Sequence, residues 1–281
     1  MVKIFFTFLL LFSLSHAEEI PLTQPDDLLT QKIKSFIDID VYEKNRKFIE
    51  IIFSPKSDFY DNGVLNVVKV IATLKDNGLL KLFFDSPREL NLHFKTYGSP
   101  LFFVKLMSDS LRNMGYYRYI TKASNFDSLE FTWSVALTSE YATDPLILQK
   151  ELMKSGCKIV DIEHNGVAEW TYVVDMVDGF LNIETLQEAK SVSLKRSLYA
   201  HWLNVSKVQK LVITSSWRNH WYPYVAFYDS SLNLIKVLKR DKKSKKVVVK
   251  VPEFAKYIKI TDIYTLKNLK DELTIEPLGT K

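Results

Sequence analysis

Residues 99–133 read SPLFFVKLMSDSLRNMGYYRYITKASNFDSLEFTW, and this stretch decides the fold class. Ser99 followed by Pro100 is a helix start, because proline at the first helical position gives up only an N–H that would have no partner there. Phe103, Val104, Met107, Leu111 and Met114 then recur at helical spacing and make one apolar face. Gly115 stops the helix, since glycine readily takes the left-handed conformation that a helix end requires. Tyr116–Ile120 and Leu129–Trp133 follow as two strands. The unit is one helix and two strands.

The same order reads twice more. Upstream, Val64, Val67, Val68, Ile71 and Leu74 form a helical face that ends at Asn77-Gly78. Leu79–Phe84 and Leu90–Phe94 are its strands, with the turn at residues 85–89. Downstream, Asp144-Pro145 repeats the start signal, Leu148 and Leu152 face inward, and Gly156 ends the helix. Cys157–Ile162 and Ala168–Tyr172 are the strands of this copy. They are joined through Asn165-Gly166, a pair that tolerates positive φ at both central positions of a hairpin.

The three glycines lie 37 and 41 residues apart, and Leu74, Leu111 and Leu152 each stand four residues before one. The closing strands align as Leu-Asn-Leu-His-Phe, Leu-Glu-Phe-Thr-Trp and Ala-Glu-Trp-Thr-Tyr. A period of this size marks a duplicated supersecondary unit. A further strand at Lys47–Phe53 would make residues 47–120 a ferredoxin-like split unit. The sequence therefore predicts a repeated α+β domain over residues 41–176, after an N-terminal extension at 18–40 and before a connector at 177–190.

From about Lys190 the helical periodicity stops. Strand-like runs follow at Ser193–Trp202, Lys210–Ser215, Tyr224–Tyr228, Leu232–Leu238, Lys246–Val251, Tyr257–Ile263 and Leu273–Ile275. Short strands divided by turn signals predict an all-β sandwich or jelly-roll domain over residues 191–281.

The first 17 residues set the compartment. Met1-Val2-Lys3 is a short positive start, Ile4–Leu14 an apolar run, and Ser15-His16-Ala17 a small-x-small cleavage site before Glu18. The run has 11 residues, whereas a bilayer span takes about 20. This is the pattern of a cleaved signal peptide, and it predicts a periplasmic, soluble mature chain with no stable membrane span.

Removing the signal leaves 264 residues with 37 basic and 33 acidic side chains. That mild balance lacks the concentrated basic face a nucleic-acid partner needs. Cys157 is the single cysteine, so no intramolecular disulfide can form. In a strand it reads as a small buried hydrophobe.

No Gly-x-Ser-x-Gly elbow, His-Glu-x-x-His pair or phosphate-binding glycine loop is present. The histidines of the mature chain, His93, His164, His201 and His220, do not fall at metal-ligand spacing. No catalytic, metal or cofactor residue is assigned. The most unusual segment is Ser216–Tyr224, in which Trp217, Arg218, His220, Trp221, Tyr222 and Tyr224 crowd one loop. Rings and polar groups in that density suit a protein-contact hot spot or the stacking face of a sugar site. They also suit closure of one end of a sandwich by packed rings. A second candidate is the run Lys236–Lys250, with Lys239, Arg240, Lys242, Lys243, Lys245 and Lys246 around Asp241. It reads as a solvated hairpin turn or as a contact for anionic polymers or headgroups.

Together these features predict an exported, non-catalytic interaction protein of the cell envelope whose partner is an envelope protein. A glycan-binding module acting on cell-wall polymer is the alternative, and a hydrolase with dispersed carboxylates the third reading. The export prediction is direct: N-terminal sequencing of the exported protein should begin at Glu18, in the periplasmic fraction. Met1 retained in a membrane pellet would refute it.

Overall fold

The computed structural model describes residues 27–281. The expected signal peptide, with its cleavage point between Ala17 and Glu18, lies outside the described residues, as does the first part of the extension. The chain is α+β and rich in strand. Its N-terminal half runs α1 (Leu28–Phe36), α2 (Ile39–Ile52), the two short strands β1 (Tyr60–Asp61) and β2 (Val64–Leu65), then α3 (Val67–Asp76) and β3 (Phe83–Thr96). It continues through α4 (Pro100–Asn113), β4 (Ile120–Asp127), β5 (Glu130–Tyr141), α5 (Pro145–Met153), β6 (Lys158–Gly166) and β7 (Glu169–Asp175).

Helices α3, α4 and α5 end in the same way, and the cause is backbone chemistry. Gly78, Gly115 and Gly156 hold φ of +71°, +96° and +69°. The residue after each glycine returns its N–H to the leucine of the last turn: Leu79 to Leu74 O at 2.9 Å, Tyr116 to Leu111 O at 2.9 Å and Cys157 to Leu152 O at 3.1 Å. Carbonyls that a helix end would leave unpaired are thereby satisfied. All three leucines are fully buried. Their starts also follow the sequence, with Pro100 and Pro145 at the first helical positions behind Ser99 and Asp144.

Several expectations fail. Lys47–Phe53 is not a strand but the end of α2. Asp40 in the first turn favours the positive end of the helix, Arg46 and Glu50 pair one turn apart at 3.4 Å, and Tyr42 and Ile49 bury one face. The apolar run Phe48–Phe53 reads as a strand only when it is cut from that context. The ferredoxin-like split unit at 47–120 falls with it.

Leu79–Phe94 is not a hairpin either. β3 runs unbroken from Phe83, and residues 84–87 form an irregularity where its register against β5 shifts. Such a bulge accommodates Pro87, which has no N–H for the ladder. The first of the three expected units therefore has one strand, while the other two have two. In the third copy the turn falls at Val167-Ala168 rather than Asn165-Gly166, because β6 shifts register between His164 and Gly166. Asn165 instead donates from Nδ2 to Thr171 Oγ1 at 2.9 Å. In the second copy the strand begins at Ile120, so Tyr116–Tyr119 is loop.

The five strands lie in the order β4-β5-β3-β7-β6, antiparallel except for the β3–β7 pair. The three strands that align in sequence are the three in the centre. Phe94 stands opposite Trp133 on β5 and Tyr172 on β7, with ring centroids 6.0 and 5.7 Å apart. This row lies under the helices and forms the middle of the core.

The C-terminal half has β8 (Val192–Leu194), β9 (His201–Asn204), β10 (Val208–Ser215), β11 (Pro223–Tyr228), β12 (Leu234–Lys239), β13 (Lys246–Lys250), β14 (Tyr257–Asp262) and β15 (Leu273–Thr280). Ser193–Trp202, expected as one strand, is two strands in different sheets. One sheet has the order β13-β10-β15-β8 and the other β12-β11-β14-β9, both wholly antiparallel. Leu211, Ile213, Trp221, Val225, Phe227, Ile258, Ile260 and Ile275 fill the core they share. Two residues of this half, Leu232 and Tyr257, are buried in the core of the other. Among the described residues no helix is long and apolar enough to cross a membrane.

Replacing Leu74, Leu111 or Leu152 with Ala should each cost about 2–5 kcal/mol of stability, the range for a buried leucine. Denaturant unfolding measures it, and a loss below about 0.5 kcal/mol, typical of the surface, would show that site to be unpacked.

Candidate functional site

Strands β10 and β11 lie in different sheets, as do β12 and β13, and β14 and β15. The three connections must therefore cross from sheet to sheet at one end of the pair. They are residues 216–222, 240–245 and 263–272. The two candidate segments of the sequence are the first two of these, and the structure brings them into contact. Lys245 donates from Nζ to the carbonyls of Ser216 at 3.0 Å and Trp217 at 2.7 Å. The Ser244 N–H reaches Trp221 O at 2.9 Å.

Two buried polar residues hold the loops. Asn219 is fully buried; its Nδ2 donates to Glu272 O at 3.0 Å, and its Oδ1 accepts the Asp271 N–H at 2.8 Å. Asp262 accepts four donors: the N–H groups of Tyr222, Tyr264 and Thr265 and the side-chain amide of Asn268, all between 2.8 and 3.0 Å. A buried polar side chain needs partners of this kind to replace the water it has lost. The loop backbone is fixed, so the side chains that leave it are pre-positioned.

The six predicted site residues divide. Trp217 is 77% exposed, with the Arg218 guanidinium 5.5 Å from its ring centroid. His220 is exposed beside them. Tyr222 is half-buried and meets Tyr264 edge-on at 5.1 Å, while half-buried Tyr224 lies on β11 with Lys239 5.3 Å from its ring. Trp221 does not belong to the surface. It is fully buried, and its indole N–H donates to Thr261 O at 2.9 Å. Apolar area of that size between two sheets outweighs any contact it could make outside.

Tyr264, at 64% exposure, and Lys270 join the site from the third loop, unannounced in the sequence. Lys243, Lys270 and Lys245 all act on His220, and their charges, Lys243 foremost, hold its imidazole below the ordinary histidine range. Opposite them, the Ser216 hydroxyl donates to Asp271 at 2.7 Å and holds that carboxyl low, with Arg218 adding a smaller effect. The surface is thus one exposed indole amid arginine, lysine and a neutral histidine. It can bind an anion and stack a planar or apolar group.

A second constellation has the residue types of a hydrolase. His93 Nδ1 lies 2.8 Å from Ser134 Oγ and its Nε2 3.3 Å from Glu169 Oε1, on the sheet face opposite the helices. Ser134 is buried in the middle of β5, paired on both sides with His93 and Ala123. His93, Ser134 and Glu169 stand on the neighbouring strands β3, β5 and β7, and they meet across the ladder. The arrangement is a cross-strand polar network. Cys157 is buried, and burial, then Asp175, push its thiol up to about 11, so it stays protonated at neutral pH. Among the described residues no group of three or more His, Cys, Asp or Glu side chains could hold a metal ion.

No protein-family model, curated protein or solved structure matches this chain. The two tryptophans of the loop separate folding from recognition. Trp221→Ala should cost about 3–5 kcal/mol of folding stability, whereas Trp217→Ala should change it by less than about 0.5 kcal/mol. Urea unfolding of both variants checks this; equal losses would place Trp217 in the core.

Proposed function

We propose that this chain is an exported, non-catalytic interaction protein of the periplasm that docks an acidic envelope partner on the loop end of its C-terminal half. The observation that carries this reading is the convergence of Trp217, Arg218 and His220 with Lys243, Lys245 and Lys270 on loops tied down by Asn219 and Asp262. Exposed aromatic residues and arginine on a rigid frame are the residues that dominate protein contacts, and cations around them speed the approach of an acidic surface. The signal sequence supports the compartment.

The same reading covers the architecture. The strand orders β13-β10-β15-β8 and β12-β11-β14-β9 support a jelly roll. The matching helix ends and the central row Phe94, Trp133 and Tyr172 support descent of the N-terminal half from a repeated unit, over the boundaries read from the sequence. That half would serve as the scaffold. A cell-wall glycan is the second reading, favoured by the 77% exposure of the Trp217 ring, which leaves a face for stacking on a sugar.

The test is binding of the mature chain to purified cell-wall sacculi and, separately, to envelope protein extract after crosslinking. Trp217→Ala should weaken the true interaction by about 2 kcal/mol or more. Raising salt should weaken it further, since the screening length falls to about 8 Å at physiological strength and shorter above it. Binding of an anion favours protonated His220, so affinity should rise as pH falls below the ordinary histidine value of 6.5, and His220→Gln should flatten that rise. Unchanged binding by Trp217→Ala combined with Lys243→Glu would eliminate the surface as the site.

A further inference from the structure

The N-terminal half holds a cavity that shares no residue with the loop end. It opens where the last turns of α3 and α4 meet the start of α5, and the segment 80–83 and the end of β5 close its sides. Its volume is about 680 Å³, within the range of about 300–1,000 Å³ of sites for small ligands. Leu80, Leu82, Phe83, Met114, Tyr116 and Ile147 give it a mainly apolar lining. Phe83, Tyr141 and Ile147 are more than half exposed or close to it at its mouth.

Two features explain why the space stays open. Gly78 and Gly115 both line it, and a Cβ on either would meet nothing within 4 Å. The positive φ that ends α3 and α4 thus also removes two side chains from the wall. An apolar opening of this size, enclosed on several sides by the chain, has the form of a small-ligand site.

The charges select its type. Lys75, Lys81 and Asp144 are the charged residues of the lining. Lys75 is committed to Asp144 at 2.6 Å, and Asp144 also caps α5 by accepting the Leu146 N–H at 2.9 Å. Lys81 is left over. Its described contact is with the ring of Phe83, 5.7 Å from the centroid, at the mouth. This cation beside an apolar chamber matches one negative head on an apolar tail.

We infer that this cavity binds a single-chain anionic amphiphile of the fatty-carboxylate class, with the tail between α3, α4 and α5 and the carboxylate at Lys81. This goes beyond the interaction function and does not rest on it. Titration calorimetry of the mature chain with dodecanoate, below its critical micelle concentration, should show one saturable site. Dodecyltrimethylammonium should bind at least about tenfold more weakly, a difference readily resolved by titration. Ile147→Trp should weaken dodecanoate about tenfold or more by filling the mouth, and Lys81→Glu should weaken it by repulsion while leaving the cation unaffected or improved. Lys81 is exposed, so its variant keeps the test valid should Ile147→Trp fail to fold. Absence of saturable binding, equal affinity for the cation, or binding that survives both substitutions would overturn the inference. So would a dimer in sedimentation that Ile147→Trp dissolves and dodecanoate does not, because a second copy would then be the occupant.

Discussion

The ring of Tyr257 is the contact on which the arrangement of this molecule depends. It stands on β14 of the C-terminal half, yet it is fully buried in the core of the N-terminal half. Its hydroxyl accepts the Leu181 N–H at 3.1 Å, which fixes the chain where it leaves the first half. Leu232 enters the same core, Ser99 donates to Ser231 O at 2.8 Å, and Lys105 and Lys259 flank the ring of Trp202 at 5.3 and 5.7 Å. Halves joined only by a polar surface move by default. Here the two halves share part of one core, and burial, the largest influence on Lys105, drives its ammonium below the usual lysine range.

What was legible in the sequence is what local chemistry decides. The proline starts at Pro100 and Pro145 and the glycine stops at Gly78, Gly115 and Gly156 are set within one turn of chain, and all five are present. The alignment of Phe94, Trp133 and Tyr172 was also legible, because each strand position reports which face it buries. What failed required knowledge of distant segments. Whether Phe48–Phe53 is a strand depends on the fourteen residues of α2 acting together, and whether residues 85–89 turn or bulge depends on β5 alongside them.

The candidate site shows the same division. Crowding at Ser216–Tyr224 and the lysine run at 236–250 could be read as separate segments, and both contribute. Their contact through Lys245, and the arrival of Tyr264 and Lys270 from a third loop, follow from which strands change sheet, and no local pattern carries that. Trp221 illustrates the cost of reading composition without register. Trp217 and Trp221 are four residues apart in one loop, yet the first is 77% exposed and the second fully buried.

Gathering cations on one loop end works against folding, and the structure shows how far that repulsion is relieved. Lys245 is held by two carbonyls, and Arg218 lies against the Trp217 ring near Asp271. His220 responds by favouring its neutral form. Lys243 and Lys270 make no ion pair among the described residues, and their charge is left for solvent and salt to screen. The frame beneath them is the opposite case, with Asn219 satisfied by the 263–272 loop and Asp262 by that loop and Tyr222. Fully paired polar groups below and unpaired charge above put the rigidity inside and the electrostatic demand outside. An anion docking there would meet loops already ordered, so its binding would carry little of the ordering cost that weakens recognition by flexible segments.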